Sequence, residues 1–135
     1  MSKSLLVVGF LMLWATATAA IAVTVSDTAI REVISQQLNA INNDDGQAAF
    51  AIASPNIQTM FGSPATFMSM VERGYPQIYR SRSHRFLNID DSSGTLQQRV
   101  LVEGETGSVI VRYEMIEIDG RWRINGCIIE KVEDV

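Results

Sequence analysis

Two acidic side chains, Asp44 and Asp45, are adjacent in the sequence and directly precede an alanine-rich segment. Neighbouring carboxylates could supply a general base at the mouth of a pocket. Acids are also common at helix starts, where they cap backbone N–H groups and meet the positive end of the helix dipole. We favour this second interpretation, in which Asp44 caps a helix and Asp45 is solvated.

The only histidine, His84, lies in a basic segment. Arg80, Arg82 and His84 alternate, so on a strand they would share one face. Such a face could bind a carboxylate or phosphate, because a guanidinium offers a planar pair of donors. These three residues are the anion-binding candidates. The alternative is an exposed basic edge that pairs with acids elsewhere and discourages edge-to-edge aggregation.

Aromatic side chains occur in both halves of the chain and could line a pocket for a small apolar ligand. The alternative is that they fill the core, which we expect of Trp122. The pocket-lining candidates are Phe50, Phe67, Tyr75, Tyr79, Tyr113 and Trp122.

Cys127 is the only cysteine, so no intramolecular disulfide can form. As a nucleophile it would need a base, and His84 is the only imidazole. We therefore interpret Cys127 as an inert, packed thiol. The sequence has no CxxC pair and no phosphate-loop, dinucleotide or metalloprotease motif, so we expect no cofactor and no metal site.

The composition is that of a globular domain. The chain has 135 residues, of which 47% are hydrophobic and 19% charged, and this suits one domain and excludes disorder as the main state. The net charge of -4 gives no general attraction to nucleic acid or to anionic lipid. We therefore expect neither nucleic acid nor membrane as a partner of the mature protein.

The N-terminal segment has the pattern of a signal peptide. Lys3 provides a positive start, Leu5–Trp14 is an uninterrupted apolar run, and small residues follow up to Ala22. We predict cleavage after Ala22, which gives a signal peptide over 1–22, a domain over 23–135 and a periplasmic or secreted location. The competing interpretation is an uncleaved membrane anchor, but the strongly apolar run is about half the ~20 residues that a span needs.

Start and stop signals predict four helices after this segment. Serine and aspartate are favoured N-caps, proline is favoured at the first helical position, and glycine is favoured after the end. The signals are, in order, Ser26 or Asp27 and Asn42–Asn43 for the first helix, Asp44 for the second, Ser54–Pro55 and Gly62 for the third, and Ser63–Pro64 and Gly74 for the fourth.

Four strands follow, because the second half is rich in β-branched and aromatic residues and carries turn signals. Alternation in the last strand puts Trp122, Ile124 and Ile128 on one face and Cys127 on the other. Helices followed by consecutive antiparallel strands indicate an α+β fold, with the helices packed on one face of a curved sheet. The predicted strands are Gln77–Ile89, Leu96–Glu103, Val109–Ile118 and Trp122–Val132, with Asp119–Gly120 as a tight hairpin turn.

Residues in both halves resemble a family of exported bacterial proteins, domain of unknown function 4864. In the helical half the resemblance is carried by Asp44-Asp45, Ala49-Phe50, Ala53-Ser54-Pro55-Asn56-Ile57, Phe61-Gly62, Phe67, Met70-Val71 and Arg73-Gly74-Tyr75-Pro76. In the strand half it is carried by Tyr79-Arg80, Gln98-Arg99-Val100, Tyr113, Asp119-Gly120, Trp122-Arg123-Ile124 and Gly126-Cys127. The resemblance implies a nuclear-transport-factor-2-like, cystatin-like cone with a pocket, but it implies no activity, since related folds serve enzymes, binding modules and assembly domains alike.

The function that we predict is non-catalytic binding of an unknown small ligand or protein, through the pocket of the cone or the open face of the sheet. The alternative is a small-molecule isomerase, dehydratase or hydrolase, with Asp45 or His84 as base and a tyrosine as proton donor. A third possibility is a homodimer through the sheet. It would cover an exposed apolar patch formed by Ile110, Ile116, Ile118 and Ile129.

Overall fold

The computed structural model describes residues 24–130, in which helices precede an antiparallel sheet. The predicted signal peptide lies outside the described residues. No helix within residues 24–130 is long and apolar enough to span a membrane. The elements are α1 Val25–Asn42, α2 Gly46–Ile52, α3 Pro55–Phe61, α4 Pro64–Gly74, α5 Pro76–Tyr79, β1 Ser81–Asp90, β2 Leu96–Gly104, β3 Gly107–Ile118 and β4 Arg121–Glu130.

The helix starts follow from local side-chain caps. Ser54 and Ser63 cap α3 and α4 as predicted, each followed by proline at the first helical position. Thr24 caps α1 in a capping box with Asp27, so this helix begins slightly before the predicted start. Each cap satisfies backbone N–H groups that have no partner inside the helix.

The cap of α2 is one residue later than predicted. Asp45, not Asp44, accepts from the Ala48 N–H at 3.1 Å. Asp44 takes a left-handed conformation with φ +54°, which aspartate tolerates better than most residues. Its carboxylate instead accepts from the Tyr79 hydroxyl at 3.0 Å. The assignment of Asp44 as the cap is therefore wrong, because this turn places Asp45 at the helix start.

The predicted first strand begins too early. Pro76–Tyr79 forms a single helical turn, α5, and β1 starts at Ser81. Proline fits the first position of a helix, because its missing N–H would have no partner there. The segment is rich in aromatic and β-branched residues, and this composition misled the prediction.

The sheet has the order β1-β2-β3-β4, with antiparallel neighbours throughout. The helices cover one face, here called the inner face, and the other is the outer face. Inner-face residues of the strands are buried against the apolar stripe of α1, as predicted for an α+β fold. The buried residues include Val100, Val102, Val111, Tyr113, Met115 and Ile124 from the strands and Ile30, Ile34, Leu38 and Ile41 from α1.

A bulge in β4 inverts its alternation. Glu114 pairs with Gly126 and Met115 with Ile124, so Asn125 is an extra residue in β4. Beyond the bulge Cys127 pairs with Tyr113 on the inner face. The predicted face-sharing of Ile128 with Trp122 and Ile124 is therefore wrong, and so is the placement of Cys127 on the opposite face.

The same bulge changes the expected outer patch. Ile129 pairs with the buried Val111 on the inner face, whereas Ile128 lies on the outer face and is 61% exposed. Ile116 is also exposed on the outer face. The outer apolar residues thus differ from the predicted set, and the homodimer stays a prediction.

The edge strand β1 contains two irregularities, one between Ser81 and Ser83 and one between Phe86 and Ile89. The buried amide of Gln98 donates to the carbonyl oxygens of Leu87 and Asn88 at 3.0 and 3.4 Å. Carbonyl groups freed by a bulge need such partners when they are buried.

Candidate functional site

A cavity of about 370 Å³ lies between the helices and the inner face of the sheet. Its inner wall is mostly apolar, as ligand pockets usually are. The wall residues come from α1, α3, α4, α5, strands β3 and β4, and the residues that follow the ends of α2 and α4. They are Gln37, Ile41, Ala53, Ile57, Met60, Phe61, Phe67, Met70, Val71, Tyr75, Ile78, Tyr113, Ile124 and Cys127.

Few polar groups interrupt this wall, and most of them already have protein partners. The Gln37 side chain is buried, and its amide nitrogen donates to the Ala49 carbonyl oxygen at 3.2 Å. The Tyr75 hydroxyl donates to the Cys127 carbonyl oxygen at 3.0 Å. These bonds link α1 to α2 and the start of α5 to β4, so they stiffen the wall on two sides.

The Tyr113 hydroxyl differs from these groups. Tyr113 is 1% exposed, and its hydroxyl has no hydrogen-bond partner among residues 24–130. Burial raises its pKa well above the ordinary value, and the nearby Cys127 and Tyr75 add to the effect. The phenol therefore stays neutral at physiological pH and is available as a hydrogen-bond donor.

The Cys127 thiol is also neutral. Burial raises its pKa from 9.0 to about 12. Since the thiolate is the reactive form, the raised pKa makes this thiol a poor nucleophile at neutral pH. The thiol is buried because the β4 bulge places Cys127 on the inner face of the sheet.

The cavity reaches the free edge of β4. There the Ser54 N–H donates to the Ile124 carbonyl oxygen at 2.8 Å. The Ser54 hydroxyl donates to Asn125 Oδ1 at 2.7 Å, and Asn125 Nδ2 donates to Glu114 Oε1 at 3.2 Å. The segment between α2 and α3 is thus tied to the bulge, because a capping serine and the extra residue of β4 bond to each other.

The rim of the cavity is partly apolar. Met60 on α3 is 65% exposed and Ile128 on β4 is 61% exposed, and both belong to the lining. Large exposed apolar side chains are noteworthy when they cluster at one opening. Here they mark a route by which an apolar molecule could enter from the β4 edge.

Within the described residues, the charged side chains of the lining are those of Arg112 and Glu114, which lie on the outer face of the sheet. Gln97 lies on the same face and is also part of the lining. Arg112 pairs with Glu130, which also binds Arg99 at 2.9 Å, and Arg112 donates to Gln97 at 3.1 Å. These bonds from both arginines hold the pKa of the Glu130 carboxyl below its usual range.

Three of the six aromatic candidates lie in the cavity wall, namely Phe67, Tyr75 and Tyr113. Phe50 lies outside the wall and packs on Phe67 with ring centroids 5.8 Å apart. Trp122 is half-buried against the core and also lies outside the cavity. Tyr79 contacts Asp44 and lines a separate shallow surface groove.

The three anion-binding candidates are not brought together on one face. Arg80 precedes β1 and stacks on Tyr79, with its guanidinium carbon 4.4 Å from the ring centroid. Arg82 falls in the irregularity between Ser81 and Ser83, which breaks the alternation. The expected shared face is therefore wrong.

His84 contacts α1. Its Nε2 lies 3.1 Å from the Ser35 hydroxyl, and its ring packs edge-on against Phe86. His84 and Asp45, the bases considered for an enzyme, both lie outside the cavity lining. Across residues 24–130 no group of three histidine, cysteine or acidic side chains is placed to hold a metal ion.

Sequence reasoning missed several wall residues, and Gln37 was the most detectable. It lies at helical spacing between Ile34 and Ile41, so a polar residue occupies the apolar stripe of α1. Met60 and Asn125 carried no such signal, because their positions depend on packing between α3 and the bulged strand.

The family model described as Domain of unknown function (DUF4864) matches residues 23–135. The chain belongs to this family. The match includes every residue of the cavity wall, so the cavity lies inside the DUF4864 domain. No curated protein matches the chain.

Two solved structures are similar to this DUF4864 domain. One is a protein of unknown function with a cystatin-like fold from Nostoc punctiforme, with a TM-score of 0.52, 15% identity and coverage of 78% of this chain and 91% of that one. The other is Aln2 from a Streptomyces species, with a TM-score of 0.49, 15% identity and coverage of 77% and 88%. At this identity the Nostoc structure supports the fold alone, and it confirms the predicted cystatin-like α+β class.

Proposed function

We propose that this protein binds a small, mostly apolar molecule in the cavity and does not alter it chemically. The observation that carries the proposal is a cavity of about 370 Å³ that has a mostly apolar inner wall and an apolar rim at Met60 and Ile128. Pockets for small molecules span roughly 300–1,000 Å³ and usually have this mixture of apolar walls and few polar groups.

The energetics favour an apolar occupant. Removal of apolar surface from water contributes about 25 cal/mol per Å², and the wall offers such surface on both the helical and the sheet side. The Tyr75 and Gln37 bonds hold the wall in place, so little conformational entropy is lost on binding.

The chemistry of the wall supports binding over catalysis. The described inner-wall residues are all uncharged, and the Tyr113 hydroxyl and Cys127 thiol are kept neutral by burial. General acid–base catalysis works best with a group whose pKa lies near the working pH. A raised pKa in both groups moves them away from that condition.

A pair of methionines on α4 provides the test. Met70 lines the cavity, whereas Met68 lines an open surface groove on the same helix. The probe is the neutral fluorophore N-phenylnaphthylamine, measured by fluorescence enhancement. We expect Met70→Trp to fill the cavity and weaken probe binding at least about tenfold, while Met68→Trp binds like the parent protein.

Circular dichroism would verify that both tryptophan variants are folded. If the parent protein does not bind the probe, or if Met70→Trp binds it as well as Met68→Trp does, the proposal is wrong.

A further inference from the structure

The Tyr113 hydroxyl is a buried polar group of the cavity wall, and it has no hydrogen-bond partner within residues 24–130. The other wall donors described above have acceptors, since Tyr75 donates to Cys127 and Gln37 donates to Ala49. Tyr113 pairs with Cys127 between β3 and β4, and both residues line the cavity. Tyr113 therefore lies beside another cavity-lining residue.

We propose that the ligand of this cavity carries a neutral hydrogen-bond acceptor, such as a ketone, ester or ether oxygen, which accepts from the Tyr113 hydroxyl. This inference rests on the proposed function, and it adds the chemical class of the ligand. The ligand is thus an apolar molecule with an oxygen acceptor, and neither a pure hydrocarbon nor an anion.

An acceptor is favoured because the phenol has no hydrogen-bond partner among the residues that the structure describes. A buried donor without a partner destabilises its surroundings, and a ligand oxygen that accepts from it removes that penalty. A hydrocarbon of the same shape leaves the penalty in place. A site of this kind discriminates against the analogue that lacks the polar atom.

A neutral ligand is favoured by the charges around the cavity. Burial of an anion is expensive unless a cation pairs with it, and the described inner wall holds no cation. Among the described lining residues the cation is Arg112, but its guanidinium is bonded to Glu130 and Gln97 on the outer face. A carboxylate ligand would have to compete with Glu130 for this arginine.

Three probes that share one aromatic body test the inference. They are methyl naphthyl ketone, ethylnaphthalene and naphthoate, which present a neutral acceptor, no acceptor and an anion. Affinities would be measured by displacement of N-phenylnaphthylamine. In the parent protein we expect the ketone to bind roughly tenfold more tightly than either of the others, the ratio that one additional hydrogen bond provides.

Tyr113→Phe removes the hydroxyl and keeps the ring, so the ketone should lose roughly tenfold in affinity while ethylnaphthalene is unchanged. Tyr79→Phe is the matched control, because its hydroxyl bonds Asp44 in a surface groove outside the cavity. This control should keep the preference for the ketone. Circular dichroism would establish that both variants are folded.

The infrared carbonyl stretch of the bound ketone gives a readout that needs no variant. Donation from Tyr113 should move this band to lower frequency than in an apolar solvent, and the shift should disappear in Tyr113→Phe. If Tyr113 only packs against the ketone, the carbonyl band should keep the frequency that it has in an apolar solvent.

The outcomes separate the two proposals. If no probe binds the parent protein, the proposed function is wrong and the inference falls with it. If the ketone and ethylnaphthalene bind equally, or naphthoate binds most tightly, apolar or anionic binding stands and the inference about a neutral acceptor is overturned. An unshifted carbonyl band in the bound ketone also overturns it.

Discussion

The Tyr75 hydroxyl donates to the Cys127 carbonyl oxygen at 3.0 Å and so joins the start of α5 to the edge strand β4. A second bond, from the Ser54 N–H to the Ile124 carbonyl oxygen at 2.8 Å, joins the same edge to the start of α3. The bulge at Asn125 lies between these two attachments. These two bonds give partners to backbone carbonyl groups of the edge strand β4, and they hold the β4 side of the cavity in place.

Removal of the hydroxyl should change the free energy of unfolding in opposite directions at the two tyrosines of the wall. Tyr75→Phe removes a made hydrogen bond and should lower the free energy of unfolding by about 1 kcal/mol. Tyr113→Phe removes a buried hydroxyl that has no partner among the described residues, and should raise it by about 1 kcal/mol. Urea unfolding of the ligand-free protein at neutral pH measures both values.

The two variants act as controls for each other, because each deletes one oxygen from a buried or half-buried phenol. Equal destabilisation by both would mean that the Tyr113 hydroxyl is paired in the protein, in contradiction to the structure.

Alkaline pH should destabilise the protein through Cys127. Burial raises the pKa of this thiol from 9.0 to about 12, so below about pH 9 it is neutral in both the folded and the unfolded chain. Above that pH the unfolded chain loses the proton and the folded protein does not. The stabilisation present below the unfolded pKa is therefore lost as pH rises toward the folded pKa, by up to about 1.4 kcal/mol per pH unit.

Unfolding by urea between about pH 8 and about pH 11 would show this slope. Cys127→Ala should flatten it, and Tyr113→Phe should flatten the part above about pH 10, since the pKa of Tyr113 is also raised. The comparison is between slopes, because alanine lowers stability at every pH. An identical slope in the parent protein and Cys127→Ala would refute the buried position of the thiol.

Gly104 should not tolerate a side chain. A Cβ at this position would lie 2.9 Å from Gln77 Cα and 3.1 Å from the Gln77 carbonyl oxygen. Backbone cannot move aside as a flexible side chain can, so Gly104→Ala should lower the free energy of unfolding by about 1–3 kcal/mol. The change would push α5 away from β2 and disturb the wall residue Ile78.

Gly74, at the end of α4, is the matched control, because nothing lies within 4 Å of a Cβ placed there. Gly74→Ala should be neutral or stabilise by up to about 1 kcal/mol, as alanine is the better helix former. Thermal melting by circular dichroism compares the two. Similar melting temperatures would rule out the close approach of α5 to β2.

Some residues of the site could be predicted from the sequence. Phe67, Tyr75 and Tyr113 were predicted to line a pocket, and the structure places them in the cavity wall. Phe50 and Tyr79 carry equally aromatic side chains, but they pack elsewhere. Residue type alone does not separate these two groups, because the difference depends on which neighbours surround each ring after folding.

The sequence by itself determined the local elements. The serine caps of α3 and α4, the end of α3 at Gly62 and the hairpin turn at Asp119–Gly120, where both residues have positive φ, follow from interactions between residues a few positions apart. The order of helices before strands then required the α+β architecture, since antiparallel neighbours need only short connections.

Only the tertiary structure decided on which face of the sheet the side chains of β4 lie beyond Ile124. The extra residue Asn125 is a property of the pairing between β3 and β4 and of the bond from Ser54, which is far away in the chain. It turns Cys127 inward beside Tyr113. Long-range contacts of this kind have no periodic pattern in the sequence, so the cavity with its neutral thiol and its buried phenol appears only when the strands and helices are assembled.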